Sequence, residues 1–562
     1  MKYSEFIDLY EKLFSTSKKL EKVDLLADFL KNLHKQGNSK WIYLLRGKVL
    51  PDYDTREFGI SQQSVMKAIK FAYGVNSEKI MEIYKKSGDL GDIAFELAEK
   101  RRQNVLFSSR LSVGKVFENL QKILDVAGKG AVDKRISFVA ELLTSASGRE
   151  ARYIIRTLLG ELRVGVADAL LIGAIVKAYY DGEMKEKIEY AYNLANDFAL
   201  VFDAAAKGEE EIRKINIVPG RPNKVMLPVK VEEISEAFRI CGKPAALEHK
   251  YDGFRMLINK NGEEIKLFTR NLENVTLQFP DVVKTVRKNV KGDSFILDSE
   301  VVGYDPKTKK YEPFESISQR IKRKYDIEKL ILELPVEINV FDIIYYNGKS
   351  LLEEIFSERR KIVEKIVKIE NMKIRPSFIL FTDDEKKALE FYENALKIGE
   401  EGIIVKKLDA PYKPGRRTGY MVKLKPIAAD LDLVIVGAEY GSGKRAGWLT
   451  SYIVACSHEG KFLEVGMVSS GLKEKGEGTS YEEMTKLLKS LIVKEEGKKV
   501  IVNPKIVVSV AYQNIQSSPS YSAGYALRFP RIINYRIDRD IGDIATLKDI
   551  KREAEKERYR KM

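Results

Sequence analysis

The stretch Leu247-Glu248-His249-Lys250-Tyr251-Asp252-Gly253-Phe254-Arg255 sets charges among β-forming residues. On a strand, side chains two apart share a face, so Glu248, Lys250 and Asp252 point the same way. A solvated strand edge shows the same alternation, so the segment gains meaning only from what surrounds it. Runs at 244–250, 254–260, 264–269, 294–303, 336–345 and 401–407 are rich in apolar and β-branched residues and read as strands. Asn261-Gly262 reads as a hairpin turn between two of them. Within these runs and the short Met421-Val422-Lys423-Leu424-Lys425, charges recur: Asp298 and Glu300 lie on one face of an apolar strand. Glu401 and Lys406 bracket another, and Lys423 and Lys425 share a face of a third. Several cations with at least two carboxylates are what a metal–triphosphate site requires.

Upstream, the texture differs. Tyr3, Phe6, Leu9, Tyr10 and Leu13 keep the spacing of one helical face, and Leu25, Leu26, Phe29, Leu30 and Leu33 repeat it. Helical stretches follow at 63–73, 114–126, 149–159 and 167–180, so residues 1–215 are expected to form an all-helical domain. Asn216-Ile217-Val218-Pro219-Gly220-Arg221-Pro222 cannot continue a helix and marks a linker. Downstream of Asp430, short runs at 431–438, 450–457, 461–466 and 505–512 suit a small barrel such as an OB-fold, with Gly441-Ser442-Gly443 as a flexible break. The expected fold class is multidomain α+β. It comprises an all-α domain (1–215), an antiparallel α+β domain (216–426) and an OB-fold β-barrel domain with a C-terminal helix (427–562).

Hydrophobic residues make up 44% of the 562 and charged residues 32%, the balance of a globular chain rather than a disordered one. No apolar run approaches the roughly 18 residues of a membrane span, and the amphipathic Met1-Lys2-Tyr3-Ser4-Glu5 is no signal core. A cytoplasmic protein is expected. Only Cys241 and Cys456 occur, which excludes a four-cysteine zinc site. A formal charge of +15 favours a polyanionic partner. Abundant Lys and Glu with scarce Cys, Gln and His resemble a hyperthermophile's composition.

The Lys-x-Asp-Gly of 250–253, Glu300, Phe341, the Glu-Gly-x-x-x-Lys of 401–406 and the Lys-x-Lys of 423–425 resemble the ordered motifs of covalent nucleotidyltransferases. Arg528-Phe529-Pro530-Arg531 and Arg536-Ile537-Asp538-Arg539 resemble the final motif. The helical first domain resembles the DNA-binding domain of archaeal and eukaryotic ATP-dependent DNA ligases, so the resemblance spans essentially the whole chain. It implies nick sealing in three steps. Lys250 takes AMP from ATP, AMP passes to the 5′-phosphate of a nick, and the 3′-hydroxyl displaces it. That activity belongs to DNA replication, repair and recombination. The alternatives are an RNA ligase or capping-type nucleotidyltransferase, which would not need the long helical domain, and a non-catalytic nucleic-acid clamp.

By the same resemblance Glu248 reads the adenine edge and Phe341 stacks on its face. Arg255, Arg270 and Arg417 contact sugar and phosphates, and Lys423 meets the nucleotide. Glu300 and Glu401 face the metal, with Glu300 alternatively on the ribose. A lysine amine attacks only when neutral, against an ordinary pKa of about 10.4. Lys423, Lys425, Arg255 and Mg²⁺ would favour the neutral form and hold charge on the phosphoryl oxygens. Mn²⁺ as the metal and ADP or NAD as donors stay open. The family pattern is broken at Met421, where an aromatic is usual, and at Arg539, where a lysine is usual. Period-2 alternation also puts Glu401 and Lys406 on opposite faces, which a bulge at Gly402 would reconcile.

The implied partner is nicked double-stranded DNA, bound by a monomer. Gln103-Asn104-Val105-Leu106-Phe107 resembles a reduced sliding-clamp-binding box, although Leu106 and Phe107 packing inside the helical domain accounts for it as well. The charged segment 544–562 is expected to be a helix that docks across the 216–426 domain through ion pairs.

Overall fold

Every member of the first helical stripe, Tyr3, Phe6, Leu9, Tyr10 and Leu13, is buried, as are Leu26, Leu30 and Leu33 of the second. They belong to one apolar core, closed by residues as distant as Phe202 and Ile212. The structure is a computed structural model that describes residues 1–102, 111–180, 182–312, 314–322, 325–426, 430–441, 445, 447–474 and 479–560. From Tyr3–Ser15 to Glu209–Arg213 the described residues form helices and no strand. Their ends follow local chemistry. Ser147 accepts from the Glu150 N–H while the Glu150 carboxylate accepts from the Ser147 N–H, which starts Gly148–Leu158. Gly74 in the left-handed region ends Gln62–Tyr73. No helix among the described residues is long and apolar enough to cross a membrane.

The chain folds as two compact units, each assembled from separate segments. One comprises Met1–Pro228, Asp252–Ser377 and Lys407–Tyr420; the other comprises Val229–Tyr251, Phe378–Lys406 and Met421–Met562. Besides the helices, the first unit contains a six-stranded sheet ordered Glu264–Thr269, Phe254–Asn261, Ser294–Gly303, Val336–Tyr346, Lys349–Ser350, with Ile374–Pro376 also on Val336–Tyr346. The expected hairpin is present, with Gly262 at φ +58 in the turn.

In the second unit a five-stranded sheet runs Val229–Val231, Met421–Leu424, Gly402–Lys407, Ala245–Lys250, Ile379–Thr382. Beyond it Asp430–Tyr440 pairs with Leu449–His458 along one edge and with both Lys499–Val502 and Val507–Ala511 along the other. This eleven-residue strand organises a seven-stranded sheet. The strands before Asp430 are not purely antiparallel as expected. Val229–Val231 is parallel to Met421–Leu424, and Ile374–Pro376 is parallel to Val336–Tyr346. Val229–Val231 and Met421–Leu424 are far apart in the chain, and a connection containing the helix Phe356–Ile366 leads to Ile374–Pro376, so neither pair is a hairpin and parallel pairing is possible.

The C-terminal helix Leu547–Arg560 also corrects an expectation. Leu547 and Ile550, one turn apart, enter the core of the C-terminal β region, and Ala554 packs against it. Among the described residues Arg552 pairs locally, with Asp549 and Glu553. Apolar burial anchors the helix where ion pairs were expected, because exposed pairs contribute little. Ile550→Ala should therefore destabilise the protein by about 2–5 kcal/mol, seen as a lower urea midpoint. Neutralising Arg552 should leave the midpoint unchanged.

Candidate active site

In the second unit, Lys250 ends the strand Ala245–Lys250, and Glu401 immediately precedes Gly402–Lys407. The Glu401 N–H donates to the Lys250 carbonyl at 2.9 Å, so the two residues are joined through the backbone as well as by their side chains. The Glu401 Oε2 pairs with both the Lys250 and the Lys425 ammonium. Burial raises the Glu401 pKa, but Lys250 and Lys425 more than reverse this and hold it down to about 2. Its other oxygen, Oε1, accepts from Gln513 Nε2 at 3.3 Å.

The chain's path explains this placement. Gly402 has φ +140, and a Cβ there would come within 2.2 Å of the Leu424 carbonyl oxygen. Only glycine lets the strand enter beside Met421–Leu424 so closely. From Ile403↔Leu424 to Lys406↔Met421 the register runs without a bulge. Gly402 itself precedes that register, and Glu401 and Lys406 meet different partners, Lys250 and Glu248. Glu401 lies before the strand, and alternation does not apply to it. Lys406 Nζ meets Glu248 Oε2 at 2.6 Å, with both side chains only 3% exposed. Removing either partner of such a pair strands a buried charge, at a cost of about 3–5 kcal/mol. Lys423, half-buried, sits in register with Ile404. Met421 is itself a buried strand residue.

In the first unit, Arg255 and Glu300 are register partners on neighbouring strands. Arg255 Nε donates to Asp298 Oδ1 at 2.8 Å, and its Nη1 donates to the Met226 carbonyl at 2.8 Å. The Tyr412 hydroxyl donates to Asp298 Oδ2 at 2.7 Å and accepts from the Met226 N–H at 3.1 Å. Asp298 and the Tyr412 ring are enclosed, so this network ties Met226 and the segment after Lys407 to the sheet. Burial pushes the Tyr412 hydroxyl well above its usual pKa, and Asp298 adds to the rise. Phe341 is the extra residue at the register shift between Asp298↔Asp342 and Ser299↔Val340. A bulge re-aims the side chain it carries, and the Arg255 guanidinium lies 5.4 Å from the Phe341 ring centroid. At Gly253 a Cβ would meet the Val301 carbonyl oxygen at 2.4 Å, which is why the turn after Asp252 takes glycine. Arg270, one residue past Glu264–Thr269, and Arg417 are exposed.

The second unit therefore gathers Lys250, Glu401 and Lys425 into one cluster and pairs Glu248 with Lys406. The first unit gathers Arg255 and Phe341 with Glu300 on the adjoining strand. Asp298, read in the sequence as a possible site carboxylate, is an anchor for Arg255. A charged residue in an apolar strand was the available signal, since a buried carboxylate needs a partner. Gln513 had no signal. In the last motif Arg536 is clamped by Asp538, at 2.9 and 2.7 Å, and by Asp432, at 3.2 and 2.9 Å. Arg536 holds the Asp538 carboxyl down at about 2. The clamp box at Gln103–Phe107 lies outside the described residues.

No group of three or more His, Cys, Asp or Glu residues able to hold a metal occurs among the described residues. A cation would thus be held by one or two carboxylates and by oxygens of a bound triphosphate, the usual arrangement for Mg²⁺. Glu401, held anionic between two ammoniums, fits that demand.

The depressed Glu401 pKa fixes a sign. A carboxyl lowered in the folded state contributes stability above its unfolded pKa and loses it as pH falls towards the folded value. Compared with Glu401→Gln, the parent should be the more stable protein at neutral pH. The gap in melting temperature should narrow as pH falls from about 4.5 towards about 2. A gap constant over that range would contradict the assigned ion pairs.

Comparison with known proteins accords with this geometry. Residues 225–425 match the ATP dependent DNA ligase domain, residues 2–176 the DNA ligase N terminus and residues 445–539 the ATP dependent DNA ligase C terminal region. The chain is 46% identical to a DNA ligase of Nanoarchaeum equitans, over 99% of both chains. It is 40% identical to a DNA ligase of Thermococcus fumicolans, over 98% of both. The solved structure named Pmar-Lig_PreS3 shares the fold, with a TM-score of 0.55 at 16% identity over 94% of this chain and 99% of that one. Matched end to end by relatives and across all three regions by family models, the chain belongs to the ATP-dependent DNA ligase family.

Proposed function

We propose that Lys250 is the nucleophile of an ATP-dependent nick-sealing reaction and that Glu401 organises it. The observation that carries this reading is the carboxylate shared by the Lys250 and Lys425 ammoniums. In the first step the Lys250 amine attacks the α-phosphorus of ATP; a P–N bond forms, the Pα–O bond to pyrophosphate breaks, and the amine sheds its proton. AMP then passes to the 5′-phosphate of the nick, releasing Lys250. Finally the 3′-hydroxyl attacks that phosphate and AMP leaves with its oxygen.

Within this scheme Glu248, oriented by Lys406, meets the adenine edge, and Phe341 covers its face. Lys423 and Lys425 take charge on the phosphates. Arg255, Arg270 and Arg417 contact the nucleotide; the ties of Arg255 to Asp298 and Met226 restrict it to one pose. Glu401 and Glu300 would hold a divalent cation, Mg²⁺ in our reading, which supplies charge neutralisation on the phosphoryl oxygens. We assign residues 1–215 to DNA binding, 216–426 to adenylation and 427–562 to an OB-fold domain. A monomer bound to nicked duplex DNA through dispersed cations should lose affinity steeply with salt. A sliding clamp docking at Gln103–Phe107 completes the proposal. The capping and RNA-ligase alternatives are not favoured, because residues 2–176 match the DNA ligase N terminus.

Lys250→Ala should abolish covalent labelling by α-labelled ATP and all sealing, while nicked-DNA binding persists; a labelled variant would refute the assignment. Arg536→Ala should slow self-adenylation more than sealing of a pre-adenylated nick, since orienting the departing pyrophosphate matters only in the first step. Equal losses in the two assays would instead make Arg536 a DNA-phosphate contact.

A further inference from the structure

Glu401 has a third side-chain partner, one that the motifs do not contain. Gln513 lies 112 residues further along the chain, between the strands Val507–Ala511 and Asn514–Ser517. Its backbone N–H donates to the Arg528 carbonyl at 2.9 Å, next to the first register pair, Asn514↔Arg528, of a two-stranded ribbon. Its place is thereby tied to the Arg528-Phe529-Pro530-Arg531 stretch. From there its amide Nε2 reaches Glu401 Oε1 at 3.3 Å. The two carboxylate oxygens are thus divided between partners: Oε2 serves Lys250 and Lys425, and Oε1 serves Gln513.

A carboxylate gripped at one oxygen can still rotate about its terminal torsion, which is broad. A donor on the second oxygen removes that freedom. The rotation matters here because it is Oε2 that fixes the Lys250 ammonium. We propose that Gln513 is a positioning residue for lysyl-AMP formation, acting through Glu401 to set where Lys250 Nζ stands. It touches neither nucleotide nor DNA in this role. Because it travels with the C-terminal β region, it makes the first step depend on that region's being in place, while the later steps, in which Lys250 is a leaving group or a bystander, do not need it. This rests on Lys250 being the nucleophile.

The test compares Gln513→Ala and Gln513→Glu in the full chain. Gln513 is exposed, so both variants should melt with the parent. Single-turnover self-adenylation with labelled ATP and Mg²⁺ should be about tenfold slower at saturating ATP in Gln513→Ala, the scale of one hydrogen bond to a charged group. The half-saturating ATP concentration should not change. Gln513→Glu keeps the shape but loses the donor and sets carboxylate against carboxylate, so it should be slower still. Both should seal a pre-adenylated nick at the parental rate. Parental self-adenylation by Gln513→Glu would show that only shape matters and overturn the proposal, as would equal losses in adenylation and sealing. A parent that takes no label at Lys250 would instead overturn the nucleophile assignment beneath it.

Discussion

One carboxylate serves two ammonium groups. Glu401, burdened by burial yet held at a pKa of about 2, is the anion that allows Lys250 and Lys425 to stand side by side. Two cations at that separation repel, and a single oxygen common to both converts the repulsion into attraction. The backbone link from the Glu401 N–H to the Lys250 carbonyl makes the arrangement a property of the fold rather than of side-chain choice. Gly402 is the condition for it, since any Cβ would collide with the Leu424 carbonyl. In the reaction we propose, Lys425 would turn to the incoming phosphates while Glu401 keeps its hold on Lys250.

The first unit solves a different problem, that of holding a guanidinium still. Arg255 spends its donors on Asp298 and the Met226 carbonyl, and Tyr412 closes the network from a segment more than a hundred residues away. A long, flexible side chain is thereby held beside Phe341, which would lower the ordering cost of the nucleotide contact we propose for it. The buried Glu248–Lys406 pair fixes a carboxylate in the same manner in the second unit. Paired buried charges of this kind confer geometry rather than stability.

Much of this was legible in advance. The strands Glu264–Thr269 and Ser294–Gly303 have the bounds that alternation and β-branched runs indicate, and helices such as Gln62–Tyr73 and Val113–Asp125 fall within a residue of theirs. Val229–Val231, Ile374–Pro376 and Ile379–Thr382 went unread because three or four residues are too few to display a period. Alternation misplaced Glu401 because it presumes a strand where the chain is only entering one. It likewise could not register that Phe341 is the unpaired residue of a bulge. Charge pattern suggested an ion-paired C-terminal helix, whereas Leu547 and Ile550 decide where it sits. The contact of Gln513 with Glu401 spans 112 residues and leaves no periodic trace.

The most direct measurement is to locate the AMP. The protein would be incubated with ATP and Mg²⁺, digested, and its adenylated peptide sequenced by tandem mass spectrometry. A single adduct is expected, on Lys250, with the acid lability and alkali stability of a P–N bond. An adduct on any other residue, or an acid-stable linkage, would contradict the account.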